Sequence, residues 1–120
     1  MKPEARKWIG VDLDGTLARW DGFQDITEIG QPLLPMVHRV QRWLQEGRDV
    51  RIFTARLDWP SPHLVREAVH AWCRKHIGRE LPITNIKDHL MGELWDDRAV
   101  GVQFNTGEIR CGLPDEGDLR

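Results

Sequence analysis

Cysteine is scarce in this chain: Cys73 and Cys111 are the only two, and they are far apart with no CxxC spacing. No disulfide framework can be built from them, and a reduced, cytoplasmic protein is expected. Lysine is nearly as scarce, limited to Lys2, Lys7, Lys75 and Lys87, so a lysine at a chemically meaningful place stands out. No apolar run approaches the roughly 18 residues of a membrane-spanning helix, and no membrane partner is expected. Met1 to Lys7 is charged and leads straight into an apolar run, without a signal-peptide pattern. There is no surplus of positive charge either. The formal net charge of −2 argues against indiscriminate binding to nucleic acid or to an anionic membrane. Internal repeats and low-complexity segments are also missing.

What remains is an ordinary globular composition. With 120 residues, 40% hydrophobic and 30% charged, the chain suits one domain over 1–120, with residues 114–120 a loose tail. Residues 8–12 read as a strand. Residues 15–34, with Gly15, Gly22, Gly30 and Pro32, read as an irregular loop or small flap. Val37, Val40, Trp43 and Leu44 recur at helical spacing and predict a helix over 33–46, closed by Gly47. Residues 50–54 read as a second strand. Ser61 as N-cap and Pro62 open a second helix running to about Ile77, with Val65, Ala68, Val69, Trp72 and Cys73 on one face. Short strands are expected over 81–86, 93–96 and 100–104. This alternation predicts an α/β fold with three layers and a five-stranded, mainly parallel sheet.

Chemistry concentrates at the predicted strand ends. Asp12 and Asp14 follow the first strand, Thr54 ends the second, Lys87 follows the third, and Asp96 and Asp97 follow the fourth. A parallel sheet gathers such ends along one edge, where ligands of open α/β sheets bind. Carboxylates packed so closely repel unless a cation or shared proton intervenes. Hard oxygen donors with incomplete coordination suit Mg²⁺, while Thr54 and Lys87 can hold a phosphoryl group. A calcium loop does not fit, because Thr16, Leu17 and Phe23 stand where it needs an acid or amide, glycine and glutamate. A bare surface turn over Asp12–Gly15 is the plain alternative.

These motifs, in this order, resemble the haloacid dehalogenase superfamily of phosphatases. Asp12-Leu13-Asp14-Gly15-Thr16 matches that family's first motif and Ile52-Phe53-Thr54 its second. Lys87 fits the third, and Leu94-Trp95-Asp96-Asp97 the paired-acid form of the fourth. The resemblance covers roughly residues 7–105 and implies a Rossmann-like core. It implies Asp12 as nucleophile and Asp14 as general acid and base. Mg²⁺ would sit on Asp12, the Asp14 carbonyl and Asp96, with Asp97 behind or exchanging roles with Asp96. Thr54 and Lys87 would neutralise the phosphoryl oxygens, and Lys87 would also orient Asp12. The implied activity is Mg²⁺-dependent hydrolysis of a phosphorylated metabolite or nucleotide through an aspartyl-phosphate.

The segments between these motifs are too short for the inserted cap of many relatives, so an open crevice is expected. That suits a large substrate or roofing by a second subunit. The Asp14-to-Ala18 and Asp96-to-Arg98 stretches also resemble the phosphatase part of polynucleotide kinase/phosphatase enzymes, which makes a 3′-phosphorylated DNA or RNA end the alternative substrate. A non-catalytic metal- or partner-binding module of the same fold is the third reading. Arg56 and Arg98 read equally as substrate or phosphate contacts and as surface ion pairs. Trp20 and Phe23 are candidates for a lid or a stacking surface, and His89 for a substrate contact. His63, His70 and His76 read as solvated or capping residues.

Overall fold

The computed structural model describes residues 7–22 and 25–110. Phe23, Cys111 and the 114–120 tail lie outside the described residues. The element order is β1 (Trp8–Asp12), α1 (Leu34–Gln45), β2 (Val50–Phe53), a 3₁₀ turn (Ala55–Asp58), α2 (Pro62–His76), β3 (Ile83–Thr84) and β4 (Met91–Trp95). All neighbouring strands pair in parallel, in the spatial order β3-β2-β1-β4. β1 therefore lies inside the sheet, with β2 on one side and β4 on the other, and its carboxyl end opens between theirs.

Side-chain alternation divides the sheet. Ile9, Val11, Val50, Ile52 and Ile83 share one face and bury into a core with Val37 and Val40 of α1 and Val65, Val69, Trp72 and Cys73 of α2. Both helices follow right-handed crossovers that step in the same direction, β1 to β2 and β2 to β3, so both cover this face. The opposite face carries Trp8, Gly10 and Arg51. There the Arg51 guanidinium lies 4.8 Å from the Trp8 ring centroid, and among the described residues no helix covers it. Among the described residues the expected three layers are thus two: a third would need a helix in the connection from β3 to β4, and residues 85–90 form a short loop instead.

The expected fifth strand is also corrected. Val102 forms only an isolated bridge to Ile109, and residues 102–110 are exposed. Asn105 and Gly107 have φ of 61° and 80°, which turn the chain back on itself before a ladder can grow. β4 starts two residues earlier than expected because Trp8 already pairs with Met91.

The helix ends follow their sequence signals unevenly. α1 closes in a Schellman arrangement: Gly47 at φ 77° donates to the Leu44 carbonyl and Arg48 to that of Trp43. Ser61 stands at the N-cap position of α2 but makes no side-chain cap, its backbone being left-handed at φ 60° and ψ 59°. Pro62 removes one of that helix's orphan donors, and the Ser61 carbonyl accepts from the Leu64 amide at 3.0 Å.

Candidate active site

β1 ends where the chain turns sharply around Leu13. The Leu13 carbonyl accepts from the amides of Leu17 and Ala18 at 3.0 and 2.8 Å. Leu13, Leu17 and Ala18 go fully into the core, which leaves Asp12, Asp14, Gly15 and Thr16 on the outer, partly exposed side of the turn. Gly15 sits at φ 90°, and a Cβ there would meet the Asp97 carboxylate at 2.7 Å. Gly15→Ala is accordingly expected to cost about 1–3 kcal/mol of stability in urea denaturation and to weaken divalent-metal binding. Unchanged stability and metal affinity would mean that the carboxylate need not stand there.

Asp12, Asp96 and Asp97 each present a carboxylate oxygen within 4.8 Å of the others, a group that can hold a metal ion. Without a cation the cluster is electrostatically poor. The Asp12 carboxyl is pushed up from 3.8 to about 8, first by burial, then by the Asp96 charge, and then by a hydrogen bond and charge from Asp97 and the Asp14 charge. The three side chains that raise it are all acidic. The donor set is all oxygen, which suits a hard divalent cation such as Mg²⁺ that retains some of its waters. Thr16 joins the two acidic motifs. Its Oγ1 accepts from the Asp97 amide at 2.9 Å and lies 3.1 Å from Asp97 Oδ1 and 3.3 Å from Asp12 Oδ2. Asp96 is fixed separately, accepting from the Arg98 amide at 2.7 Å.

Asp14 stands outside this cluster. Both its oxygens accept from Arg56, from Nε at 2.7 Å and Nη2 at 2.8 Å. Arg56 is only 3% exposed, and its Nη1 donates to the flap carbonyls of Ile26 and Glu28 at 3.2 and 2.8 Å. Four of the five guanidinium N–H groups are thereby satisfied inside the protein. The 3₁₀ turn holds the base of this side chain, with the Arg56 amide donating to Thr54 Oγ1 at 3.1 Å. The Trp59 and Trp20 rings flank the guanidinium, at 4.7 and 5.9 Å to their centroids.

A cavity of about 450 Å³ opens over these groups, lined by Asp12, Asp14, Thr54, Asp96, Trp20, Ala55, Arg56, Trp59 and Arg98. Of the residues expected at the site, Asp12, Asp14, Thr54, Arg56, Asp96, Arg98 and Trp20 thus meet at one place, and Asp97 stands against Asp12. Lys87 is not brought to it. That residue is exposed on the loop after β3 and does not line the cavity. β3 has two residues, and the loop is bent back by Ile86 donating to Thr84 Oγ1 and by the Trp8 indole donating to Asp88. His89 is exposed on the same loop. His70 lies against the Leu81 carbonyl and His76 packs on Trp72, while His63 is exposed.

Sequence reading missed three features: the clamp at Thr16, the Asp14–Arg56 pair and Trp59. Thr16 lay inside a quoted motif, so its position was a signal. The pairing across 42 residues had none, because nothing local to Arg56 says which acid it meets.

No family model matches the chain, and no curated protein matches it. A solved structure of a conserved protein from Bacteroides thetaiotaomicron is similar, at 24% sequence identity and a TM-score of 0.56, over 94% of this chain and 85% of that one. That likeness is one of fold. The described residues form an α/β fold with a four-stranded parallel sheet, two helices and, at the carboxyl end of β1, an acidic cluster able to take a metal.

Proposed function

We propose that the protein is a Mg²⁺-dependent phosphomonoester hydrolase that works through Asp12. One observation carries the reading: Asp12, Asp96 and Asp97 converge within 4.8 Å beside a cavity that Thr54 also lines. Three acids brought together at a strand end, with the Asp96 and Asp97 charges both raising Asp12, favour a bound divalent ion over a plain surface turn.

When bound, the cation would be held by Asp12, Asp96 and Asp97 and would supply charge neutralisation for a dianionic phosphoryl group. An Asp12 oxygen attacks phosphorus, the P–O bond to the leaving group breaks, and an aspartyl-phosphate forms. The leaving oxygen takes a proton from Asp14; water then returns a proton to Asp14 as it attacks the aspartyl-phosphate and releases inorganic phosphate. Both Asp14 oxygens accept from Arg56, so the proton in transit uses the lone pairs turned away from the guanidinium. The Thr54 hydroxyl accepts from the Arg56 amide, which leaves its own proton for a phosphoryl oxygen. Lys87 is exposed on the loop after β3 and does not line the cavity, so the phosphoryl role is left to Thr54 and the bound cation.

Phosphate release from a panel of small phosphomonoesters, with Mg²⁺ and with EDTA, tests the reading. Turnover is expected with Mg²⁺ and should fall at least about 100-fold on chelation. No release above the uncatalysed rate, or release indifferent to chelation, overturns it.

A further inference from the structure

We infer that the group esterified to the phosphate carries a flat aromatic ring seated against Trp20 and Trp59, which makes the substrate a nucleoside monophosphate. This rests on the phosphatase reading of the same cavity. The cavity lining falls chemically into two halves. One is the groups proposed to react, Asp12, Asp14, Asp96 and Thr54; the other is Trp20, Trp59, Ala55, Arg98 and the buried Arg56. Its 450 Å³ falls in the range of sites that enclose small organic molecules rather than a bare anion.

The second half is poorly suited to a sugar alone. Sugar hydroxyls need several donors and acceptors, whereas this wall offers two indoles, a methyl group and one available guanidinium. It is well suited to a planar ring. Trp20 comes from the flap and Trp59 from the turn before α2, yet one guanidinium touches both, at 5.9 and 4.7 Å. Neither indole has to be ordered on binding, which keeps the entropic cost of stacking low. Stacking of a nucleobase on such a residue contributes about 1–3 kcal/mol. Arg98, which also lines the cavity, can meet the ring's polar edge. A nucleic-acid strand would need a cationic track along its backbone. Among the described residues Arg56 and Arg98 are the only cations lining the cavity, and Arg56 is internally paired, so a mononucleotide is favoured over a polynucleotide end.

The test compares a nucleoside 5′-monophosphate with ribose 5-phosphate, which presents the same ester without the base. The ratio of their kcat/KM values, measured with Mg²⁺, is expected to be at least about tenfold in favour of the nucleotide. Trp59→Leu and Trp20→Leu should each shrink that ratio several-fold, mainly through KM. A ratio near one, or a ratio unmoved by both substitutions, overturns the inference. A 3′-phosphorylated oligonucleotide preferred over every mononucleotide overturns the mononucleotide assignment. If none of these compounds is hydrolysed, the phosphatase reading fails, and ring recognition is then read separately. Tryptophan fluorescence of the Mg²⁺-loaded protein should be quenched by the nucleotide and not by ribose 5-phosphate, with less quenching in the Leu variants. Equal responses to both compounds sink the inference on its own.

Discussion

Asp12→Asn is expected to abolish phosphate release, by at least about 10⁴-fold, because the amide cannot form the phospho-enzyme. The same substitution is expected to raise the stability of the metal-free protein at alkaline pH. Asp12 has a folded-state value of about 8 against 3.8 for the ordinary group. Between those values the folded state binds a proton that the unfolded chain has released. Metal-free stability therefore falls as pH rises from about 4 to about 8 and levels off above that. Asparagine removes that slope. At pH 8 the variant should melt several degrees above the metal-free parent, while Mg²⁺ raises the melting temperature of the parent much more than that of the variant. Thermal melts from pH 5 to 9 with and without Mg²⁺ read both effects. Parallel profiles for the two proteins would show that the acids do not crowd Asp12; full activity in the variant would reject it as nucleophile.

Which parts of the molecule are legible from sequence depends on whether they are set locally or by chain reversal. Local patterns carried well. Two acids straddling Leu13 at the end of an apolar strand announced a site, because burying Leu13, Leu17 and Ala18 forces Asp12 and Asp14 to the other side of one turn. The helical spacing of Val37, Val40, Val65 and Val69 announced the core, since that periodicity makes one face of each helix. Features set by chain reversal carried poorly. Val100 to Phe104 has strand-forming residues, but the turn at Asn105 and Gly107 folds Val102 onto Ile109 in a single bridge, so propensity alone overcounted the strands. Lys87 was assigned by order along the chain, yet order fixes only which loop a residue occupies. The bend made by Thr84 and Asp88 decides where that loop points. Arg56 was placed near the site, and its burial was invisible, because its partners Asp14, Ile26 and Glu28 all lie far back in the sequence.

Arg56→Met is expected to be the most destabilising single change at the site, by about 3–5 kcal/mol, since it leaves the Asp14 carboxylate without its buried partner. Two flap carbonyls, at Ile26 and Glu28, lose their donors at the same time, and Trp20 and Trp59 lose the cation packed against them. Arg56→Lys separates charge from shape. An ammonium can still meet one Asp14 oxygen but cannot bridge both and also reach the two carbonyls, so most of the loss should persist. The Arg56→Met, Asp14→Asn double variant should recover part of it, because an amide tolerates the missing partner better than a carboxylate does. A coupling of about 1–3 kcal/mol between the two positions is expected in urea denaturation. The flap should respond as well. Trypsin cleavage after Arg19 should accelerate in Arg56→Met and stay slow in Asp14→Asn, where the carbonyl contacts survive. Additive stability losses with unchanged cleavage would mean that Arg56 merely fills space. Coupled losses with faster cleavage would make this one guanidinium the joint between the flap, the aromatic wall and the residue proposed to move protons.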